Sequence, residues 1–273
     1  MTKELGHLKG PILVFGGVYS NLQALEALRQ IAEELNIPPA NIICTGDVVA
    51  YCAQPEESVR SIREWNIHCI AGNVELQIAS GASDCACDFV KGGRCDSFSK
   101  EWYPYTQQNL STHSIEWMKQ LPEFLSFHYA EKKALVLHGA HDYTSEFIFE
   151  STAWSIKHKN FKKTQADIIL AGHCGLPFSQ EQEGKYWLNA GVIGMPANDG
   201  TPRVWYMILN DKDENFQFEH RALDYNYQQA SELMLKQQLT PAYAKTLYTG
   251  IWDNCEILPP SEEKRQGEAL NFS

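Results

Sequence analysis

Residues 12–22 read ILVFGGVYSNL, and this stretch indicates how the chain begins to fold. Its first four residues are an apolar run of the length expected for a buried strand. Two glycines end the run, and apolar residues then recur at helical spacing from Leu22 to Ile31. We predict a strand over residues 12–15, followed by a helix with Ser20 as its N-cap. A strand that leads through a short turn into a helix is the first half of a β-α-β unit.

The same alternation continues along the chain and predicts an α/β fold with a mostly parallel sheet. Further strands are predicted over residues 41–45, 67–70, 134–138 and 167–171, and further helices over residues 55–65, 101–110, 111–120 and 152–162. Three late apolar runs, residues 186–189, 203–209 and 216–220, are typical of an antiparallel meander and predict a second sheet packed on the first.

Four polar side chains stand where short apolar runs end, at Asp47, Asn73, His138 and His173. Ligands of open α/β sheets gather in the crevice at the carboxyl ends of the strands, so we expect these side chains to meet there. A carboxylate, an amide oxygen and two imidazoles suit a divalent transition metal such as zinc, manganese or iron. The sequence therefore predicts a metal site.

The order and flanks of these residues resemble the calcineurin-like metallophosphoesterases, whose pattern runs D-x-H, G-D, G-N-H-[DE], H-G and G-H-x-H. The resemblance covers roughly residues 12–209, and it includes the segment NAGVIGMP at residues 189–196, which is similar to the family's N-P-G-S-x-G-x-P. It implies a four-layer αββα sandwich of two mixed sheets. It also implies metal-dependent hydrolysis of phosphoesters by a phosphatase or phosphodiesterase.

This chain departs from the family pattern mainly at the residues that bind the first of the family's two metals. Gly17 and Tyr19 stand where the family has D-x-H, and Gly175 stands where it has the final histidine. By the resemblance, the first metal keeps Asp47 alone, whereas Asp47, Asn73, His138 and His173 would hold the second. We expect one divalent ion (Mn, Fe or Zn) and no second metal site. Val74 also replaces a histidine that stabilises charge at the phosphate, which leaves Glu75 without the partner that the family's acid orients.

Three interpretations follow from this reduced site. The chain is a working phosphoester hydrolase with a single ion, whose bound water is the nucleophile. Alternatively, it is a catalytically inactive regulatory protein that binds a metal or nucleotide on the same fold. In the third interpretation, the polar residues only form hydrogen bonds at strand ends, as buried polar groups usually must. In the first, His141 and Tyr19 are the candidate catalytic residues that would handle the phosphate.

Eight cysteines are present, and four of them lie near these motifs. Cys85, Cys87 and Cys95 belong to a loop rich in Gly, Ser and Asp that could fold over the site, and Cys174 follows His173. These four cysteines are a candidate additional metal or thiol site, because thiolates bind softer metals. Their spacing differs from paired C-x₂-C zinc modules. Reduced free thiols are the alternative, and a disulfide from Cys85 to Cys95 is expected only in an oxidising compartment.

Composition bounds the partners and the location. The net charge is −11 with no run of Lys or Arg, so we expect neither nucleic acid nor an anionic membrane as a partner. A small phosphorylated substrate or nucleotide is still compatible, because a bound cation sets the local field. The N-terminal residues are polar rather than signal-like, and no apolar run is long enough for a membrane span. We therefore expect a cytoplasmic protein.

The 273 residues divide into three predicted parts. Residues 1–222 form the metallophosphoesterase-like domain. Residues 223–258 form a C-terminal helical extension, with helices over residues 225–238 and 241–248, that braces the sandwich, caps the site or forms a homo-oligomer contact. Residues 259–273 have the composition of a flexible tail.

Overall fold

The computed structural model describes residues 1–212 and 215–272, which form two mixed sheets with helices on their outer faces. The strands are β1 (Thr2–His7), β2 (Ile12–Phe15), β3 (Ile42–Cys44), β4 (His68–Cys69), β5 (Phe124–Tyr129), β6 (Lys132–Val136), β7 (Ile168–Ala171), β8 (Pro177–Gln182), β9 (Lys185–Ala190), β10 (Val204–Asn210) and β11 (Gln217–Leu223). The helices are α1 (Leu22–Glu34), α2 (Pro55–Trp65), α3 (Asn73–Ser80), α4 (Arg94–Gln108), α5 (Thr112–Met118), α6 (Trp154–Thr164), α7 (Tyr227–Lys236), α8 (Pro241–Thr249) and α9 (Pro260–Glu263). None of these helices is both long and apolar enough to cross a lipid bilayer.

The two sheets pack face to face. One sheet has the order β1-β5-β6-β7-β9-β8 and the other the order β11-β10-β2-β3-β4. Side chains alternate between the two faces of a strand. Val14 of β2 therefore packs with Val136 and Leu170 of the opposite sheet, whereas Leu13 and Phe15 pack in the helical layer on the outside. The predicted four-layer αββα sandwich is confirmed.

The strand and helix predictions hold for most central elements, with differences at their ends. The N-cap of α1 is Asn21, whose side chain accepts a hydrogen bond from the Ala24 amide, so the prediction of Ser20 is wrong. Ser20 Oγ instead accepts a hydrogen bond from the Ala50 amide. Helix α4 begins at Arg94, seven residues before its predicted start, because the polar side chains of its first turn face solvent and hide its periodicity.

The predicted three-stranded meander is wrong. Strand β9 pairs in parallel with β7 in the first sheet, whereas β10 pairs in antiparallel fashion with β2 and β11 in the second. An apolar run predicts a strand but does not specify its neighbour. The strands β1, β5 and β8 were not predicted, and β1 is a mostly exposed edge strand whose polar sequence carries no apolar alternation.

The C-terminal residues pack on the sandwich, which differs from the flexible tail predicted over residues 259–273. Glu262 of α9 accepts hydrogen bonds from the amide and the hydroxyl of Ser151. The Leu270 amide donates to Asp199 Oδ2 at 3.2 Å, and the Phe272 ring stacks on His220 with centroids 4.2 Å apart. A few anchoring contacts are enough to hold a polar segment, and composition does not reveal them. Ser273 lies outside the described residues.

We predict that Phe272→Ala lowers the free energy of unfolding by about 1–2 kcal/mol, less than for a fully buried phenylalanine because 37% of the residue is exposed. The substitution removes ring contacts with both His220 and Trp205. Urea denaturation monitored by circular dichroism measures the change. Tyr143→Ala, which removes a half-exposed ring, is the control and should change stability by less than about 0.5 kcal/mol. Equal effects of the two substitutions would contradict a docked tail.

Candidate metal centre

Four buried polar side chains meet where the two sheets face each other. Asp47 follows β3, and Asn73 begins α3 directly after β4. His138 follows β6 and His173 follows β7, both in the other sheet. Each of the four is less than 8% exposed. The structure therefore brings together the four residues that the sequence analysis selected as metal ligands.

His138 is the centre of the cluster. Its Nε2 atom lies 3.2 Å from Asp47 Oδ2, 3.1 Å from Asn73 Oδ1 and 3.2 Å from His173 Nδ1. One ligand atom from each of Asp47, His138 and His173 lies within 4.8 Å of the others. Four atoms that can each offer a lone pair thus face one small volume.

The hydrogen bonds around His138 explain why this convergence suits a cation. Its Nδ1 lies 2.7 Å from the Thr45 carbonyl oxygen, which can only accept, so Nδ1 carries the proton. In the neutral imidazole, Nε2 is then a bare acceptor that faces two acceptor oxygens. A neutral His173 can satisfy Nε2 by donating from Nδ1, and the two acceptor oxygens can be satisfied by a proton added to Nε2 or by a metal ion. A proton on Nε2 can satisfy one of its neighbours, whereas a metal ion can accept a lone pair from all of them.

The Asn73 amide is held in the orientation that a ligand role requires. Its Nδ2 donates to the Cys85 carbonyl at 2.9 Å and lies 3.3 Å from Cys87 Sγ. Because the nitrogen is engaged on that side, Oδ1 faces His138. The His173 ring is supported by Phe147, which stacks on it with centroids 4.3 Å apart. These contacts orient both side chains before any ligand binds.

The pKa values of the cluster follow from burial and from the two opposite charges. Burial opposes ionisation of Asp47, but the charge and hydrogen bond of His138 outweigh it and lower the pKa of Asp47. Burial likewise disfavours a charged His138, yet Asp47 raises the pKa of His138 above its ordinary value. Burial, reinforced by the positive charge on His138, lowers the pKa of His173 to about 3. At neutral pH, Asp47 is therefore anionic and His173 neutral, as a metal requires of its ligands.

Glu75 connects the loops that carry Asp47 and Asn73. Its carboxylate accepts hydrogen bonds from the backbone amides of Asp47 at 2.8 Å, Gly72 at 2.9 Å and Val49 at 3.3 Å. Burial, followed by the nearby Asp47 charge, raises the pKa of Glu75 to about 7. The sequence analysis found no partner for this residue, because its partners are backbone groups and leave no mark in the sequence. Glu75 is a positioning residue of the site.

Close backbone approach also shapes the centre. Gly46 has φ +96°, and a Cβ atom there would lie 2.5 Å from the Gly72 nitrogen. Only glycine allows the two ligand loops to come this close. Asp47 and His173 themselves have positive φ angles of 55° and 62°. Such conformations cost energy and cluster at functional sites, where surrounding contacts maintain them.

Aromatic rings lie where the missing ligands of the first metal would project. A Cβ on Gly17 would lie 2.6 Å from Cζ of Tyr19, so the Tyr19 ring covers that position. A Cβ on Gly175 would lie 3.4 Å from the Trp252 indole. The expected absence of a second metal site stays a prediction, and its physical basis here is that these two rings stand in place of ligands. Tyr19 lines the cavity beside Asp47, and its role with phosphate stays a prediction.

The four candidate cysteines do not form one thiolate cluster. Cys85 is paired with Cys87 as a disulfide, and Cys95 is a free thiol, so the structure does not contain the Cys85–Cys95 disulfide considered for an oxidising compartment. The redox state of these cysteines in the cell stays a prediction. Cys95 Sγ donates to Asn254 Oδ1, and burial raises the pKa of Cys95 to about 11. Burial likewise raises the pKa of Cys174 to about 12. These thiols stay protonated at neutral pH, which disfavours metal binding. The two-residue spacing of Cys85 and Cys87 was the available signal for their pairing.

His141 lies apart from the cluster. Its ring stacks on Phe124 with centroids 5.1 Å apart and its Nδ1 lies 3.0 Å from Asp142 Oδ1. The backbone amide of His141 donates to Asn160 Oδ1 at 2.8 Å, and His141 is not among the residues that line the cavity beside Asp47 and His173. A catalytic role for His141 stays a prediction, and these contacts do not support it.

The sequence analysis missed the residues that the C-terminal extension brings to the site. Tyr243 of α8 and Trp252 line the same cavity as Asp47 and His173, together with Tyr51 and Phe147. The extension therefore packs over the mouth of the site rather than standing apart from it. No motif marks these residues in the sequence, and the aromatic content beyond position 240 is close to that of the whole chain.

Comparisons with known proteins agree with the fold. The profile of the calcineurin-like phosphoesterase superfamily domain matches residues 12–214. An uncharacterized protein of Methanocaldococcus jannaschii is 26% identical over 263 residues, which cover 89% of this chain and 99% of that protein. A hypothetical protein from Pyrococcus horikoshii OT3 is similar in structure, with a TM-score of 0.74 at 17% identity, over 92% of this chain and 100% of the other. A metallophosphoesterase from Sphaerobacter thermophilus has a TM-score of 0.70 at 22% identity, over 89% and 100% of the two chains.

We predict that Glu75→Gln lowers the free energy of unfolding by about 2–3 kcal/mol at pH 8, because an amide has one acceptor oxygen and would leave buried backbone donors unpaired. Chemical denaturation measures the change. Glu64→Gln makes the same substitution at an exposed position on α2 and should have little effect. If Glu75→Gln were as stable as Glu64→Gln, the carboxylate would not hold these loops.

Proposed function

Since the chain belongs to the calcineurin-like phosphoesterase superfamily, we propose that it is a metal-dependent phosphoester hydrolase that works with one divalent transition metal ion. The observation that carries this proposal is that Asp47, Asn73 and His173 all approach one atom, Nε2 of His138. By the family pattern, these are the four protein ligands of the second metal. Gly17, Tyr19 and Gly175 leave the first metal with Asp47 alone.

The donor set fits a borderline ion such as zinc, manganese or iron, because it combines two imidazoles with a carboxylate and an amide oxygen. When bound, such an ion supplies Lewis acidity to a water molecule and to a phosphoryl oxygen. In the hydrolysis, the water oxygen forms a bond to phosphorus, the P–O bond to the leaving group breaks, and a proton ends on the departing alcohol.

The chain's own residues prepare this chemistry. Thr45 holds the His138 ring in the tautomer that presents Nε2, and Glu75 sets the position of the Asp47 loop. The aromatic residues Phe147 and Trp252 line the cavity and would reduce the access of bulk water to a ligand bound there. Exclusion of water strengthens electrostatic interactions inside a site.

A regulatory protein that binds its ligand without turnover is the second candidate. It is favoured by the rings of Tyr19 and Trp252, which stand where the ligands of another metal would project. Paired ions generate the nucleophile and stabilise the transition state together. With aromatic rings in place of one ion, the protein would keep the means to bind a phosphate group and lose part of the means to cleave it.

We predict that the purified protein contains about one metal ion per chain and that Asp47→Ala lowers both metal content and metal-dependent hydrolysis by at least about 100-fold. Elemental analysis and generic p-nitrophenyl monoester and diester substrates provide the two measurements. Asp224→Ala removes an exposed carboxylate and serves as the control. Circular dichroism verifies that both variants are folded.

The outcomes separate the candidates. Turnover that depends on metal and is lost in Asp47→Ala supports the hydrolase. One bound ion without turnover across manganese, iron and zinc supports the regulatory protein. A wild-type chain that retains no ion under any of these conditions contradicts both.

We also predict that metal binding weakens as the pH falls below the raised pKa of His138. Burial opposes the charge on His138, but Asp47 raises its pKa, so the metal-free protein holds a proton that a metal must displace. Affinity should therefore rise with pH, by about tenfold per pH unit for each proton released, and level off above that pKa. Isothermal titration calorimetry in buffers of different ionisation enthalpy counts the protons. Binding at pH 6.5 without proton release would contradict this assignment.

A further inference from the structure

The cavity beside the candidate metal centre is walled by aromatic rings. Its aromatic lining residues are Tyr19, Tyr51, Phe89, Phe147, Tyr243 and Trp252. They come from separate parts of the chain. The Tyr51 ring contacts two others edge to face, with centroid distances of 4.7 Å to Tyr19 and 4.8 Å to Tyr243. Asp47 and His173 line the same cavity, so the aromatic wall continues directly into the candidate metal centre.

Cationic side chains do not contribute to this wall. Among the described residues that line the cavity there is neither a lysine nor an arginine. Two carboxylates, those of Asp47 and Asp253, belong to lining residues. The guanidinium of Arg94 approaches the rim but is engaged with Asp253, at 2.5 Å from Nε to Oδ2 and 3.1 Å from Nη2 to Oδ1. A phosphate group that enters would therefore be neutralised by the metal ion alone. This charge balance favours a phosphate with a single negative charge over a dianionic monoester or a polyphosphate.

Neutral hydrogen-bond donors take the place of cations. The hydroxyls of Tyr19, Tyr51 and Tyr243 make no hydrogen bond to any other part of the chain that the structure describes. Burial raises the pKa of all three well above the ordinary tyrosine value, so each hydroxyl keeps its proton. A protonated phenol can donate to a phosphoryl oxygen without adding charge. Three such donors around one cavity suit a group with several acceptor oxygens.

Trp252 supplies a flat apolar surface to the same cavity. Its Nε1 donates to the Pro196 carbonyl at 2.7 Å, which holds the indole in place over Gly175. With its polar atom engaged, the ring offers the cavity an aromatic surface. Planar aromatic groups gain free energy against such surfaces beyond simple burial. The part of the cavity that Trp252 lines is thus suited to an aromatic substituent.

We propose that the ligand of this cavity is a monoanionic phosphodiester that carries an aromatic group. The phosphate lies between the metal centre and the hydroxyls of Tyr19, Tyr51 and Tyr243, and the aromatic group packs against Trp252. This inference rests on the proposed function, because it takes a cation at Asp47, Asn73, His138 and His173 as given. It adds the charge and the shape of the substrate.

The test measures binding to the full-length protein loaded with Mn²⁺, so that it does not depend on turnover. Three probes separate charge from aromaticity: diphenyl phosphate is a monoanion with aromatic groups, diethyl phosphate is a monoanion without them, and phenyl phosphate is a dianion with one. Isothermal titration calorimetry at pH 8 should show diphenyl phosphate binding at least about tenfold more tightly than either of the others.

Two variants assign the preference to the named groups. Tyr243→Phe removes a hydroxyl and keeps the ring, and it should weaken all three probes by about three- to tenfold. Trp252→Leu should weaken the two aromatic probes and leave diethyl phosphate unchanged. Tyr248→Phe removes a hydroxyl from the exposed side of the same helix α8, outside the cavity, and should change nothing. Thermal unfolding verifies that each variant is folded.

Three results would overturn the inference. In the first, phenyl phosphate binds as tightly as diphenyl phosphate. In the second, diethyl phosphate binds as tightly as diphenyl phosphate. In the third, Tyr243→Phe changes the affinities no more than Tyr248→Phe does. Hydrolysis assays distinguish this failure from failure of the proposed function. Turnover with a preference for monoesters overturns the substrate class and keeps the hydrolase. Selective binding of diphenyl phosphate without hydrolysis of any ester supports the ligand class and overturns the hydrolase.

Discussion

The hydrogen bond between His138 Nδ1 and the Thr45 carbonyl joins the two sheets at the point where their strands end. Thr45 follows β3 in one sheet and His138 follows β6 in the other, so a single 2.7 Å contact sets the distance between them. The same contact fixes the tautomer of His138 and directs Nε2 at Asp47 and Asn73. The apolar core packs the two sheets, and the orientation of His138 at their ends depends on this one donor and one acceptor.

Buried charge at this point needs support from all sides. The Asp47 carboxylate is compensated by His138, and the Glu75 carboxylate is compensated by three backbone amides. Isolated buried carboxylates would be far too costly, so each exists because a partner is held rigidly beside it. The glycines at 46 and 72 permit that proximity, since a side chain at either position would collide with the opposite loop. The cluster is thus built into the backbone as much as into its side chains.

Aromatic rings occupy the part of the site where Gly17 and Gly175 lie. The rings of Tyr19 and Trp252 cover Gly17 and Gly175, and Tyr243 reaches the same cavity from the C-terminal helices. The extension beyond the second sheet consequently serves the site as well as the packing. Where the family resemblance implies polar ligands, this chain has aromatic rings, and the proposed preference for a singly charged phosphate rests on that difference.

Local pattern was sufficient for the central elements and for the four converging polar residues. Short apolar runs that end in Asp47, Asn73, His138 and His173 identify strand ends, and strand ends of an α/β fold meet at one edge, so their convergence could be predicted. The pairing of β9 with β7 and of β10 with β2, the docking of Phe272 and the backbone partners of Glu75 could not. Those contacts join residues that are distant in the chain, and they depend on which surfaces meet in three dimensions. An amino-acid sequence states what each residue can do, whereas the packed chain selects its partners.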